Sequence, residues 1–169
     1  MREDAATPQE RLRAIEGDHL AGATELTERL AEVLRDAVAR SRATTVGALS
    51  AEVLDLGERA IRAHPNMAPL VHLVNVAVRA ASGAPTLEDA RSALQQALDE
   101  FLRERRENAR ILRERASQLI PEGARVLIHS FSGTVLDALR AARAQGRSFS
   151  IVCTEARPLC EGRLLASRA

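Results

Sequence analysis

The spacing of apolar and polar residues separates a long first part of the chain from a short last part. Over residues 1–121, apolar residues recur every three or four positions, the spacing that places them on one face of a helix. Glycine and proline residues break this spacing and mark where one helix ends and the next begins. The spacing predicts five helices, which span about 8–17, 22–41, 46–61, 67–82 and 87–119. Residues 1–121 are therefore predicted to form an all-α bundle.

Two of these helices carry capping signals, and one of the two has an unusual composition. Thr7, followed by Pro8 and then Glu10, is typical of a helix N-terminus with a capping box. Residues 67–78 are apolar almost all round, and Asn66 precedes them as a candidate N-cap. Because a helix that is apolar on every side is normally buried, this segment is predicted to be the central helix of the bundle.

The last helix of the bundle is predicted to be long. At about 1.5 Å per residue, residues 87–119 would span roughly 50 Å, more than the width of a small bundle. Its charged middle carries Asp99 four residues before Arg103 and Glu107 three residues before Arg110, which favours ion pairs within the helix. The segment is therefore expected to present a solvated face, and the alternative is a strut between two domains.

Residues 122–169 have a different pattern, that of a strand, a helix and a second strand. Mostly apolar residues fill 125–129, and apolar and polar residues alternate over 149–153. Gly146 can end the intervening helix in the left-handed conformation. Two strands joined by a helix pair in parallel with a right-handed crossover. The predicted fold is thus α/β overall, with the start of a Rossmann-like domain in 122–169 after the helical domain of 1–121.

This α/β part is expected to be incomplete. Parallel sheets are covered on both faces and need neighbours at their edges, and two strands with one helix do not supply them. The sequence therefore predicts the first part of a longer domain, or a sheet that another chain completes.

The loop between the first strand and its helix is the candidate binding site. It contains Ser130, Ser132, Gly133 and Thr134, all of them small and all but the glycine carrying a hydroxyl. Backbone N–H groups and hydroxyls at a helix N-terminus favour an anion, so the loop is a candidate phosphate site. The alternative is a plain turn whose serine and threonine side chains cap the helix, and the pattern by itself favours that alternative.

Composition narrows the class of protein further. Hydrophobic residues make up 46% of the chain, with no Trp or Tyr, which predicts a core of Leu, Val and Ala. The 24 basic and 23 acidic residues nearly cancel, so charge does not favour nucleic acid or a membrane surface as a partner. Cys153 and Cys160 match neither a disulfide framework nor a zinc site. With no secretory signal and no apolar run of about 18 residues, the expected location is the cytoplasm.

Two motifs in the last part of the chain resemble a known family. They are His-Ser-Phe-Ser-Gly-Thr-Val-Leu from His129 and Thr-Glu-Ala-Arg-Pro-Leu-Cys-Glu-Gly-Arg from Thr154. Both resemble the region shared by the alpha, beta and delta regulatory subunits of translation initiation factor 2B, and the resemblance extends back to about Gly22. The same region occurs in the related isomerases that act on ribose-1,5-bisphosphate and methylthioribose-1-phosphate. The resemblance implies binding of a sugar phosphate or nucleotide phosphate in a regulatory or assembly role, as a homo-oligomer or with a related subunit.

An isomerase of the ribose-1,5-bisphosphate type is the alternative function that the resemblance implies. In those enzymes a cysteine follows the histidine of the first strand and acts with a later aspartate, which would lie beyond residue 169. Here the cysteine position is Ser130, whose hydroxyl lacks thiolate chemistry at neutral pH. Two arginine-containing motifs of the enzymes correspond to residues 21–23 and 63–66, which contain no arginine and leave His64 as the cationic candidate. The resemblance therefore favours binding over catalysis, leaves the enzyme question open, and implies no cofactor.

A second group of candidate residues follows the second strand. Open α/β folds bind ligands at the carboxyl ends of their strands, where Glu155 and Arg157 lie. Arg157 can contact a phosphate, or it can form a salt bridge with Glu155 or Glu161 that shapes the loop. Two interpretations of His129 are open: a backbone hydrogen bond that holds the first loop and, favoured over it, a partly buried histidine whose hydrogen bonds are satisfied. No catalytic residue and no metal ligand is predicted, and the predicted ligand-binding residues are Ser130, Ser132, Gly133, Thr134, Glu155 and Arg157.

Overall fold

The computed structural model describes residues 6–169, which form a mostly helical structure with two parallel strands. None of the helices in this range is both long enough and apolar enough to cross a membrane. The helices are α1 Pro8–Glu16, α2 Ala23–Arg40, α3 Val46–Ala63, α4 Ala68–Ser82, α5 Leu87–Gln118, α6 Gly133–Ala144 and α7 Glu161–Arg168. The strands are β1 Ala124–Ile128 and β2 Phe149–Cys153.

Five helices precede the strands, as the apolar spacing predicts, and α1 begins with the predicted capping box. The Glu10 N–H donates to the Thr7 hydroxyl at 3.3 Å, and the Thr7 N–H donates to the Glu10 carboxylate at 2.7 Å. The pKa of Glu10 is lowered, chiefly by the hydrogen bond from the Thr7 backbone. Both bonds satisfy N–H groups that have no partner inside the helix.

The chain divides into two compact units, one up to Arg103 and one from Glu104 to Ala169, so the division lies within α5. The change from helices to strands comes later, between Gln118 and Ala124. In the first unit, α1 to α4 and the first half of α5 enclose one core dominated by leucine. Its fully buried large side chains include Leu12, Leu26, Leu30, Leu34, Leu49, Leu70, Leu73, Leu94 and Leu98.

Helix α4 is buried on one side rather than all round, which corrects the prediction from its composition. Leu73 and Val74 are buried where α4 packs against α2 and α3, whereas Val71 is exposed. Helix α4 thus has more apolar residues than the neighbouring helices cover. The N-cap is also different from the predicted one, since it is Met67 and not Asn66, and no side chain caps this end.

Helix α5 has the predicted length, and its ion pairs agree with the prediction in part. Its first half packs into the core of the first unit, and its second half is largely exposed. Glu107 pairs with Arg110 at 2.7 Å, as predicted. Asp99, however, pairs with Arg35 of α2 at 2.7 Å and not with Arg103, because a cation on a neighbouring helix is within reach.

The second unit contains the two strands, which pair in parallel from Ala124 opposite Phe149 to Ile128 opposite Cys153. The parallel pairing is confirmed, and both strands lie within one residue of their predicted positions. Helix α6 connects them, and Gly146 after it has a φ of 85°, the left-handed conformation expected of a helix-ending glycine. One face of the sheet packs into a small core, whose buried residues are Ile128, Leu136, Leu139, Ala142, Phe149 and Leu165.

The other face of this sheet is open. Leu127 and Val152 are cross-strand partners on that face, and their exposed fractions are 70% and 36%. Within the described residues, each strand also has one edge without a neighbouring strand. Among the described residues, the sheet is thus a parallel pair that is covered on one face only.

Candidate functional site

The carboxyl ends of β1 and β2 lie next to each other, because the strands are parallel and Ile128 is opposite Cys153. The Thr154 N–H extends the pairing by donating to the Ile128 carbonyl oxygen at 3.0 Å. The segments 129–132 and 154–160 therefore leave the sheet at the same edge. All six predicted ligand-binding residues lie in or directly after these two segments, at the edge where open α/β folds bind their ligands.

His129 links the two segments through its side chain. Its Nδ1 lies 2.6 Å from the hydroxyl oxygen of Thr154, and the residue is exposed. The favoured prediction, a partly buried histidine, is wrong in its burial, because the residue is exposed. The partner is a hydroxyl and not the backbone, because Thr154 stands one residue beyond the end of the adjacent strand. The pair fixes the orientation of the imidazole ring at this edge of the sheet.

Ser130 makes a contact that the sequence analysis missed. Its φ angle of 67° is left-handed, a conformation that costs about 1–3 kcal/mol for a residue other than glycine. Its hydroxyl donates to Oε2 of Glu161 at 2.8 Å. From the sequence, Glu161 is a candidate partner of Arg157 only. One sequence signal could have indicated this contact. Glu161 belongs to the motif that follows β2, and β2 pairs with β1, the strand directly before the Ser130 loop.

Ser132 caps helix α6. The helix begins at Gly133, and the Val135 N–H donates to the Ser132 hydroxyl oxygen at 3.4 Å. The capping alternative is therefore realised at this serine. The N–H groups of Gly133 and Thr134 still have no carbonyl partner inside the helix, since the first N–H groups of any helix lack one. Space is open at Gly133: apart from its chain neighbours and the backbone of its own helix, no atom lies within 4 Å of the position that a Cβ would take.

Glu155 pairs with two arginines. Its carboxylate accepts from Nε of Arg157 at 2.6 Å and from the guanidinium of Arg163. These pairs lower the pKa of Glu155, through the hydrogen bond from Arg157 first and that from Arg163 second. Of the two roles predicted for Arg157, the salt bridge is the one present, although its side chain is 81% exposed. Arg163 belongs to the second motif but was not among the predicted site residues.

Gly162 holds the segment after β2 close to the strand. A Cβ at this position would overlap the carbonyl group of Thr154, and the Gly162 N–H donates to the carbonyl oxygen of Glu155 at 3.3 Å. Ala156 and Cys160 have left-handed φ angles of 59° and 56°, which turn the segment tightly. The absence of a side chain at Gly162 therefore permits the approach that brings the start of α7 to the site.

The residues that correspond to the enzymes' arginine motifs lie in the first unit. Gly22 is the N-cap of α2, without a side-chain hydrogen bond. His64 is buried at the end of α3, and its Nε2 lies 2.7 Å from the Ile15 carbonyl oxygen. This packing gives His64 a structural contact within the helical core.

Comparison with known proteins identifies the family. The family model of the Initiation factor 2 subunit family matches residues 19–169. The chain belongs to this family. It spans about half the length of the curated relatives that it matches, namely 52% of one and 47% of another.

Three known proteins illustrate what this chain is similar to. The solved structure of the Pyrococcus horikoshii translation initiation factor eIF-2B is 29% identical, with a TM-score of 0.81, over 95% of this chain and 55% of that one. A methylthioribose-1-phosphate isomerase of Pelotomaculum thermopropionicum is 31% identical over 85% of this chain and 47% of its own length. The tetrameric eIF2B-beta2-delta2 complex from C. thermophilum shares the fold, with 24% identity and a TM-score of 0.66 over 86% of this chain and 48% of that one.

The chemistry available at the site of this initiation factor 2 family chain is of two kinds. The first N–H groups of α6 and the Thr134 hydroxyl are groups that an anion binds. The carboxylates of Glu155 and Glu161 are acceptors for hydrogen-bond donors. Within residues 6–169, no group of three or more His, Cys, Asp and Glu side chains is arranged to hold a metal ion. Cys153 and Cys160 are both free thiols and partly buried.

Proposed function

We propose that the chain binds a sugar phosphate or nucleotide phosphate at the carboxyl ends of β1 and β2, in a regulatory or assembly role. The observation that carries this proposal is the convergence of two segments, 129–132 and 154–160, at one edge of a parallel pair of strands. The phosphate would take the N–H groups of Gly133 and Thr134, where the α6 dipole favours negative charge. The Thr134 hydroxyl would add a hydrogen bond, and the Ser130 hydroxyl would add another on leaving the Glu161 carboxylate.

Arg157 and Glu155 would take part through an exchange of partners. Arg157 and Arg163 share the single carboxylate of Glu155, so this group of three carries one excess positive charge. An ion pair exposed to water contributes little to stability, so Arg157 can leave Glu155 for a phosphate at little cost in free energy. Glu155 would remain held by Arg163, so its carboxylate would not be left without a cation.

For the rest of the architecture, we propose a helical domain over 1–121 and the first part of a Rossmann-like domain over 122–169. The parallel pairing, the connecting helix and the open face of the sheet support this division. The relatives' greater length supports further strands in the family's complete domain. The partner would be a second copy or a related subunit, by analogy with the tetrameric complex named above. We propose a cytoplasmic location on the family membership.

Isomerisation of a sugar phosphate is the second candidate function. It is favoured by the similarity to a methylthioribose-1-phosphate isomerase. Ser130, at the cysteine position, argues against it, because its hydroxyl is held by Glu161 and its pKa lies far above that of a thiol. Incubation with ribose-1,5-bisphosphate should therefore give no ketose product. Turnover that Ser130→Ala abolishes would reverse the ranking of the two functions.

Calorimetry with pentose phosphates and nucleoside monophosphates tests the binding function. Gly133→Val is the informative variant, because the open space around Gly133 lets the protein fold while the new side chain covers the N–H groups. Gly47→Val is its matched control, since Gly47 also lies in the first turn of a helix with open space around it. Binding should be lost in the first variant and kept in the second. The proposal fails if no phosphate binds the unaltered protein, or if both variants bind equally.

A further inference from the structure

The second half of α5 carries a row of apolar residues that faces water. Ala109, Leu112, Ala116 and Leu119 recur at alternating spacings of three and four positions, and these four residues are named the α5 seam. At 3.6 residues per turn, such positions lie on one face of a helix. The exposed fractions of Leu112 and Leu119 are 52% and 82%. The described residues therefore leave most of the α5 seam uncovered.

Arginine side chains border the α5 seam on both sides. Arg106 and Arg113 are seven positions apart and lie along one border, and Arg115 lies along the other. All three are exposed, and none of them forms a salt bridge within the described part of the chain. Their guanidinium groups can therefore accept carboxylates of a partner without first leaving an ion pair.

The acidic residues of this stretch lie elsewhere on the helix. Glu107 and Glu114 are on the face opposite to the α5 seam, and both bind Arg110, with nitrogen to oxygen distances of 2.7 Å. Glu104 precedes the seam by more than one turn. The charges are thus sorted around α5, with ion pairs on the far face and arginines beside the apolar row.

We propose that the α5 seam binds an acidic amphipathic helix of a partner protein. Alternating spacings of three and four are the pattern of helix–helix contacts, and the residues that border such a contact select the partner by charge. Alanine at two of the four positions lets a partner helix approach closely, because the distance between packed helices depends on the side chains at the contact. The proposed phosphate function plays no part in this inference.

Two other occupants fit the α5 seam less well. A second copy of the chain would bring its own Arg106, Arg113 and Arg115 to the contact, where like charges repel. A membrane surface binds helices that have a wide apolar face, whereas two leucines and two alanines form a narrow row. The bordering arginines therefore favour a partner helix whose own borders carry glutamate or aspartate.

Two synthetic peptides serve as the probe. Each is a helix of about three heptads with leucines at spacings of three and four, and its bordering positions are all glutamate in one peptide and all lysine in the other. The chain should bind the glutamate peptide at least about tenfold more tightly, because ion pairs with the bordering arginines are replaced by repulsion in the lysine peptide. Fluorescence anisotropy measures both affinities, and the preference should shrink at high salt.

Matched variants of the chain locate the contact. Leu112→Gln, which keeps a good helix former, should weaken binding of the glutamate peptide at least about fivefold, whereas Leu54→Gln, at an exposed leucine of α3, should not. Arg113→Gln should reduce the preference for the glutamate peptide. Arg110→Gln removes the same charge from the opposite face of α5 and should leave the preference unchanged. If circular dichroism shows that Leu112→Gln loses helix, Leu112→Ala is held to the same expectation.

Several results would overturn the proposal. It is wrong if the two peptides bind equally, or if Leu112→Gln and Arg113→Gln bind the glutamate peptide as the unaltered chain does. It is also wrong if phosphatidylserine vesicles, and not the peptide, bind in a manner that requires Leu112. A lower average mass of Leu112→Gln in light scattering would show that a second copy covers the seam instead. Binding of phosphate esters should be the same in Leu112→Gln and in the unaltered chain, so the two proposals fail separately.

Discussion

Leu127 of β1 and Val152 of β2 are direct cross-strand partners, and both are exposed on the same face of the sheet. Parallel sheets are normally covered on both faces, so this pair is a small apolar patch whose exposure to water is unfavourable. The 169-residue chain should therefore self-associate. Light scattering should show an average mass that rises with protein concentration.

Substitution of the pair by threonine identifies the surface responsible. Leu127→Thr with Val152→Thr keeps residues that suit a strand and removes the apolar contact, so it should lower the average mass. Leu119→Thr is the control, because Leu119 is 82% exposed and lies outside the sheet. A monomer that persists at high concentration in the unaltered protein would contradict the prediction, as would an equal effect of the control.

The stability of the first unit should depend on the ionisation of Asp18. Its carboxylate accepts from the Ala21 N–H at 2.9 Å and from Arg29 at 2.6 Å. The pKa of Asp18 is lowered from 3.8, by the Ala21 hydrogen bond first and by Arg29 second. A group whose pKa is lower in the folded state adds stability that is complete above its unfolded pKa and is lost as the pH falls through the folded pKa.

Urea unfolding followed by circular dichroism measures this effect. The unaltered protein should be more stable than Asp18→Asn near pH 7, and the difference should shrink as the pH falls below about 4, the usual range for an aspartate. Glu52→Gln, which alters an exposed acid of α3, should show a much smaller difference. A difference between the unaltered protein and Asp18→Asn that does not change with pH would show that the packing of this side chain, and not its charge, is responsible.

The approach of Gly162 to Thr154 should make this glycine irreplaceable. Gly162→Ala would force its methyl group into the Thr154 carbonyl, and overpacking of this kind costs about 1–3 kcal/mol. The loss should appear as faster hydrogen exchange or proteolysis of the segment after β2. Gly133→Ala adds the same methyl group where space is open, so it should leave the segment's protection unchanged. Equal protection in the two variants would mean that the backbone shifts without cost.

The regular elements were predictable because their signals are local. Thr7 and Glu10 lie three residues apart and form the capping box, and Gly146 takes the left-handed conformation that its position after a helix requires. The parallel pairing of the strands follows from the helix between them. The prediction that α4 is buried all round was wrong because the burial of a helix depends on how many other helices pack against it. The composition of the helix itself does not contain that information.

The contacts within the site were less predictable, because they depend on which of several side chains lies within reach. Arg157 had two plausible partners in the sequence, and Glu155 also binds Arg163, which the spacing alone did not single out. Ser130 and Glu161 are 31 residues apart and meet because of the parallel pairing and the tight turn before α7. Asp99 shows the same effect in the first unit, since its partner Arg35 belongs to another helix.

Arg157 provides the most direct test of how a phosphate would be held. Its side chain is 81% exposed and shares Glu155 with Arg163, so it can turn to a ligand without leaving a carboxylate unpaired. Arg157→Ala should weaken the binding of a phosphate ester by about 1.5 kcal/mol, the lower end of the range for a hydrogen bond to a charged group, because the contact is exposed to water.

Arg140→Ala is the matched control, since Arg140 is an exposed arginine of the same unit whose guanidinium binds the Arg168 carbonyl oxygen. Calorimetry at two salt concentrations should show a loss for Arg157→Ala that exceeds the loss for Arg140→Ala at both. Equal losses that disappear together at high salt would mean that Arg157 contributes net charge alone and makes no contact with the ligand.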